Sequence, residues 1–145
     1  MNSIENLKSL LLQDKILNFK NLNGESINQM LDSRDNEEFE DDWLRVFQSL
    51  EQKDFSNNDL ALIDEVREIA YKKTFASTNH AELASYTADD FELIVKSLLS
   101  GLSDEWLNAL LLAYLQGLFP HTKLLPKKNG LELILETASI HQLAV

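Results

Sequence analysis

Apolar residues recur along this chain at intervals of three and four, the spacing that lines them up on one face of an α-helix. The clearest run begins at Phe39, from which Trp43, Val46, Phe47 and Leu50 follow at offsets of 4, 7, 8 and 11 residues. That stripe predicts a helix starting near Asp35. Upstream, Ile4, Leu7 and Leu11 share a face of a first helix, opened by Asn2 with Glu5 three residues on and reaching about Phe19. Asn21-Leu22-Asn23-Gly24 interrupts the period, and Glu25 to Leu31 gathers Ile27, Met30 and Leu31 on a short helix. Ser56 and Asp59 form a reciprocal cap for the next, which carries Leu62, Ile63, Val66, Ile69 and Ala70 inward and ends near Phe75. Ser77 to His80 reads as a loop, and Asn79 with Glu82 caps a single turn through Leu83.

Thr87 with Asp90 reads as the cap of a further helix, with Phe91, Ile94, Val95 and Leu98 as its stripe and Gly101 at its C-terminal end. Ser103 restarts the helix at once. Asp104 and Glu105 occupy its first turn, where carboxylates meet the positive end of the helix dipole, and Gly117 closes it. Thr87 to Gly117 therefore reads as a helical hairpin. Its second arm, WLNALLLAYLQ, is apolar almost all round, which places a helix of about 104–116 at the centre of a bundle. The last segment, LELILETASIHQLAV, supports two readings. The alternation of Leu131, Leu133 and Leu135 suggests a strand, while its length and the Asn129–Glu132 spacing suggest a capped helix. The helix is preferred, because a lone strand would have nothing to pair with. The expected fold class is all-α: a single-domain, irregular bundle of about six to seven helices, with residues 1–145 forming one domain.

Charge changes the picture more than composition does. The net charge is −11, and residues 32 to 68 hold 13 acids against 4 bases, while residues 121 to 128 hold three lysines and no acid. Nucleic acids and anionic membranes need basic surface to neutralise phosphate, so neither is expected as a partner. The longest apolar run, Leu107 to Leu115, is interrupted by Asn108 and falls short of the roughly 20 residues of a membrane span. The absence of cysteine excludes disulfides and thiolate metal sites and fits a reducing cytoplasm, as does an N-terminus with no basic region and with Glu5 inside what would be a signal core.

The acids are densest in SRDNEEFEDDWLRVF, residues 33 to 47, where six of fifteen residues are Asp or Glu. A calcium loop does not fit: counting from Asp32 puts Arg34 at the third position, and counting from Asp35 puts Glu40 where glycine is required. On a helical wheel the carboxylates fan from about 100° to about 300° around the exposed face, too widely to converge on one substrate atom. Glu37 and Glu38 lie in the first turn, where they stabilise the helix. Elsewhere the acids have basic neighbours at helical spacing: Glu68 with Lys72, Asp64 with Arg67, Glu92 with Lys96. Near Asp41 and Asp42 there is only Arg45. The acidic stripe is thus either a solvated face or a docking face for a cationic partner.

Catalytic signatures are missing. His80, His121 and His141 have no second ligand at metal-binding spacing, no Gly-x-Ser-x-Gly occurs, and the four glycines are isolated from one another. No catalytic residue, metal or cofactor is expected.

A small, cysteine-free, acidic helical chain of this kind resembles the immunity proteins that neutralise bacterial toxin domains, such as those of contact-dependent inhibition systems. It departs from the acidic immunity proteins of nuclease colicins, which carry adjacent tyrosines on the toxin-binding helix; Tyr71, Tyr86 and Tyr114 are dispersed here, so no binding residue transfers. The resemblance implies a cytoplasmic, non-catalytic bacterial protein that binds a cationic, nuclease-type toxin. The candidate contact residues are Glu37, Glu38, Glu40, Asp41 and Asp42, joined by Asp89 and Asp90. Two other classes are distinguishable. A structural or regulatory adaptor would form an oligomer through an apolar surface in Leu131 to Val145, and an enzyme of unrecognised type would bring His80 or His121 together with a carboxylate of another helix in a deep polar pocket.

Overall fold

The computed structural model describes residues 2–19 and 22–143, with side chains as far as Ile140. Asn21 of the expected break, the His141 side chain, Ala144 and Val145 lie outside the described residues. Among the described residues there are seven α-helices and no strand: α1 (Ser3–Leu12), α2 (Gly24–Ser33), α3 (Glu37–Glu51), α4 (Asn57–Thr78), α5 (Ala81–Ser100), α6 (Glu105–Leu115) and α7 (Leu131–Leu143). The all-α class follows, and the C-terminal segment is helical.

Several ends are set by side-chain caps, two of which, at Asn2 and at Ser56, the sequence announces. Asn2 accepts from the backbone N–H groups of Ile4 and Glu5, Asn23 and Ser26 bond reciprocally, and Ser56 and Asp59 do the same. The first helix ends at Leu12, well before Phe19, because Asp14 and Leu17 turn the chain through left-handed conformations at φ 56° and 64°. The turn still serves the core: Ile16, Leu17 and Phe19 are buried, and Ser77 donates a hydrogen bond to the Leu17 carbonyl.

The largest correction concerns α5. Thr87 and Asp90 do not open a helix; they sit inside a continuous one that begins at Ala81, where the His80 Nδ1 accepts from the Leu83 N–H. Thr87 instead donates to the Leu83 carbonyl one turn back. Only Asn79, left-handed at φ 53°, and His80 separate α4 from α5, so the two long helices fold back on each other as the most extensive pair in the bundle. The hairpin expected between α5 and α6 is a lesser contact. α1 packs on α4 and α7, and α3 lies against α5.

α6 is buried on several sides, through Trp106, Leu107, Leu110, Leu111 and Tyr114. Its one buried polar residue in mid-helix, Asn108, donates to the Lys127 carbonyl at 2.9 Å, while the Lys127 N–H bonds to the Glu105 carbonyl at 3.0 Å. This pair of bonds straps the basic segment that follows Pro120 onto α6. No helix among the described residues is long and apolar enough to cross a membrane.

Candidate functional site

Arg34 ends α2, and its side chain turns inward, 5% exposed. A guanidinium removed from water needs a matched anion, and Asp90 supplies it from the inner face of α5 with no exposed surface of its own. The pairing is bidentate: Nη2 donates to Oδ1 at 2.6 Å and Nη1 to Oδ2 at 2.9 Å. Trp43 of α3 donates its indole N–H to Oδ1 at 2.9 Å, and Tyr114 of α6 donates its hydroxyl to Oδ2. Four donors thus saturate one carboxylate and bind α2, α3, α5 and α6 at a single point. Three rings, Phe39, Phe119 and Tyr86, stand 4.3, 5.0 and 5.3 Å from the guanidinium carbon.

The charge states of this cluster follow from its surroundings. Burial works against the charge on Arg34, but the Asp90 carboxylate outweighs it and holds the guanidinium above its ordinary value. Burial, then the neighbouring Asp90, pushes Tyr114 well above the usual phenol range, so the hydroxyl remains a donor. Asp90 therefore belongs to the interior, and this corrects its place among the candidate contact residues: no partner can reach a carboxylate that is fully buried and fully bonded.

Above the cluster lies an open cleft of 190 Å³ between the α2–α3 turn, α3 and α5. Arg34, Phe39, Trp43 and Tyr86 line it, with Leu44 as an apolar shoulder, and Asp35, Glu40 and Asp89 stand around it. Leu44 is 40% exposed, an unburied leucine beside unburied acids.

The acidic stripe continues along α3 from this cleft. Glu37, Glu38, Glu40 and Asp41 are exposed, as the wheel predicts, and among the described residues none of the four has a salt-bridge partner. Asp42 differs, because Arg45 holds it at 3.1 Å and reaches onward to Asp104. Asp104 accepts from Arg45 and from the Leu107 N–H at the start of α6; burial acts to raise its pKa, but these bonds and the Arg45 charge carry it below the usual carboxylate value. Asp89 is paired at 2.9 Å with Arg67, which also takes Glu92 at 3.1 Å. Arg67 therefore crosses to α5 rather than pairing with Asp64, whereas Glu68–Lys72 and Glu92–Lys96 form as their spacing predicts.

The histidines do not assemble a centre. His80 caps α5, and among the described residues no group of three or more His, Asp or Glu could hold a metal ion. His121 has a buried Nδ1 without a hydrogen-bond partner, and burial, then the nearby Arg34 charge, lowers its pKa. The unfolded chain takes up a proton at this residue at higher pH than the folded chain does. Stability contributed here is present above pH about 6.5 and is lost as pH falls below it. His121→Gln should therefore lose less stability than the parent protein when urea unfolding is compared at about pH 7.5 and about pH 5.5; an identical loss in both would show that His121 does not titrate with folding.

What the sequence describes in general terms, comparison with known families makes specific. The family described as immunity protein PIM1 matches residues 6–121, which span α1 to α6 and include the buried cluster, the cleft and the acidic stripe. The chain belongs to the PIM1 immunity protein family. Membership implies an inhibitory role and a protein toxin as the partner. No curated protein matches the chain. The matched residues end before α7.

Sequence reasoning missed Arg34 and the cleft. The signal for the ion pair was present: Leu83, Thr87, Asp90, Ile94 and Ser97 recur at helical spacing, which puts a carboxylate on an inward face once α5 is read as one helix. The cleft had no such signal, because Tyr86 and Asp89 meet Phe39 and Trp43 only through packing of α3 on α5.

Proposed function

We propose that this PIM1 protein is a cytoplasmic bacterial inhibitor that neutralises a nuclease-type toxin domain by binding its basic substrate surface with the acidic face of α3. The observation that carries this reading is the run of exposed carboxylates at Glu37, Glu38, Glu40 and Asp41, which no cation of the chain itself engages among the described residues. On α4 and α5, Glu65, Glu68, Asp89 and Glu92 are each paired with a lysine or arginine. A stripe left unpaired beside an aromatic cleft is suited to draw in a basic surface and then fix its register. Asp42 and Asp89 join the face from the edge, where Arg45 and Arg67 hold them in place and can be exchanged for cations of the partner.

The test is neutralisation in living cells. Cells expressing the cognate toxin domain should survive when the parent protein is co-expressed, and should die when it is replaced by the variant Glu37→Lys, Glu38→Lys, Glu40→Lys, Asp41→Lys at equal abundance. Survival with the charge-reversed variant would sink the assignment of the face.

One observation favours a second reading, the oligomeric adaptor. An apolar groove of 370 Å³ lies between α6 and α7, lined by Leu112, Leu115, Leu133, Ile134 and Ala138, and Leu133 is 51% exposed. A monomer in sedimentation velocity at high concentration would remove that reading.

A further inference from the structure

The cleft beside the acidic stripe has a chemistry that the stripe alone lacks. Its walls are the aromatic residues Phe39, Trp43 and Tyr86, and its rim holds Asp35 and Glu40, which have no basic partner among the described residues, together with Asp89. The polar groups at its base are already committed. The Trp43 N–H and two N–H groups of the Arg34 guanidinium bond to Asp90, so the floor offers an internally neutralised ion pair rather than an uncompensated positive charge for an anionic ligand. Counting the residues behind the rim, the carboxylates of Asp35, Glu40, Asp89 and Asp90 face only two guanidinium groups, Arg34 and Arg67. An anion is disfavoured here and a cation favoured. A volume of 190 Å³ gives room for one long side chain.

We propose that this cleft is a socket for a single arginine side chain of the toxin, with its aliphatic stem against Leu44 and its guanidinium between the aromatic walls and the carboxylates of Asp35 and Glu40. The proposal rests on the immunity reading above and names the anchor within it. A planar, weakly hydrated guanidinium suits this environment better than an ammonium, because it stacks on aromatic faces and meets carboxylates in a fork. A central aromatic pocket that buries an arginine is also the arrangement that concentrates binding energy in protein interfaces, whereas the exposed stripe around it mainly sets the rate of encounter.

The socket can be tested without the toxin. Propylguanidinium chloride is titrated into the isotopically labelled protein at constant ionic strength, with neutral propylurea and with propylammonium as parallel arms, and backbone and indole N–H resonances are followed by NMR. The expected result is a saturable shift of the Trp43 indole N–H and of the Leu44 and Tyr86 amides, with half-saturation on the order of 10 mM, as befits one small ligand without the rest of an interface. Propylurea should shift the same signals several-fold less, and propylammonium should fall between the two. The double variant Asp35→Asn, Glu40→Gln, which changes only exposed carboxylates, should weaken the guanidinium response roughly threefold or more while leaving the rest of the spectrum in place. Shifts that stay linear and spread over all acids of α3 and α4, or an equal response to propylurea, would overturn the socket. Neutralisation of the toxin would then still stand, and a failed neutralisation assay would leave a saturable guanidinium site unexplained by it, so the two failures are separable.

Discussion

Replacing Asp90 with alanine will destabilise the fold by about 3–5 kcal/mol, the loss usual when one partner of a buried ion pair is removed. Three groups lose their acceptor at once: the Arg34 guanidinium, the Trp43 indole and the Tyr114 hydroxyl, from three different helices. The cost comes from the stranded Arg34 charge more than from the bonds themselves, because Arg34 is 5% exposed and cannot turn out to water without unpacking Phe39 and Phe119. A double-mutant cycle separates the two contributions. Asp90→Asn keeps an acceptor for Tyr114 or Trp43 but not the charge, and adding Arg34→Met to it should restore stability by about 1 kcal/mol or more, since no buried charge then remains unmatched. Urea unfolding provides the measurement. A loss under about 1 kcal/mol for Asp90→Ala would mean that the four-helix junction does not hold the fold together as described.

The α3 helix was legible almost to the residue, because Phe39, Val46 and Leu50 are buried on one side and Glu37, Glu38, Glu40 and Asp41 are exposed on the other. Periodicity records burial, and this helix has one wet face and one dry one. The same logic explains why α6 was recognised as central. It failed at α1, where the pattern continues through Ile16, Leu17 and Phe19 although the backbone has left the helix: those residues are buried, but by a turn with two left-handed residues. It failed again at α5, where Thr87 and Asp90 form a plausible cap and local chemistry is the same whether the pair starts a helix or lies inside one. Burial of Asp90 is a tertiary fact that depends on an arginine 56 residues away. The candidate site divides along the same line, with the stripe readable from α3 alone and the cleft requiring a second helix.

Neutralising Glu37, Glu38, Glu40 and Asp41 to Gln, Gln, Gln and Asn should slow association with the toxin domain on the order of tenfold at low ionic strength, while the dissociation rate changes much less. Stability should fall by no more than about 2 kcal/mol, because the loss of favourable first-turn charges at Glu37, Glu38 and Glu40 is partly offset by relief of the Glu37–Asp41 repulsion one turn apart. The effect on binding is thereby separable from any effect on folding. Asp42 and Asp89 are left unchanged in this variant, since each is bonded to an arginine of the chain and its removal would free that cation as well.

The central claim is that the carboxylates of Glu37, Glu38, Glu40 and Asp41 on α3, unpaired among the described residues, receive a basic surface of the toxin. Its most direct test is the association rate of the parent protein and the neutralised variant with the toxin domain, measured by stopped flow from about 0.02 M to about 0.5 M salt, a range over which the screening length shrinks from well above to well below the span of a helix face. The predicted result is a steep fall with salt for the parent protein, a shallow one for the variant, and convergence of the two at high salt. Equal rates with equal salt dependence would contradict the claim and return the stripe to the role of a solvated surface.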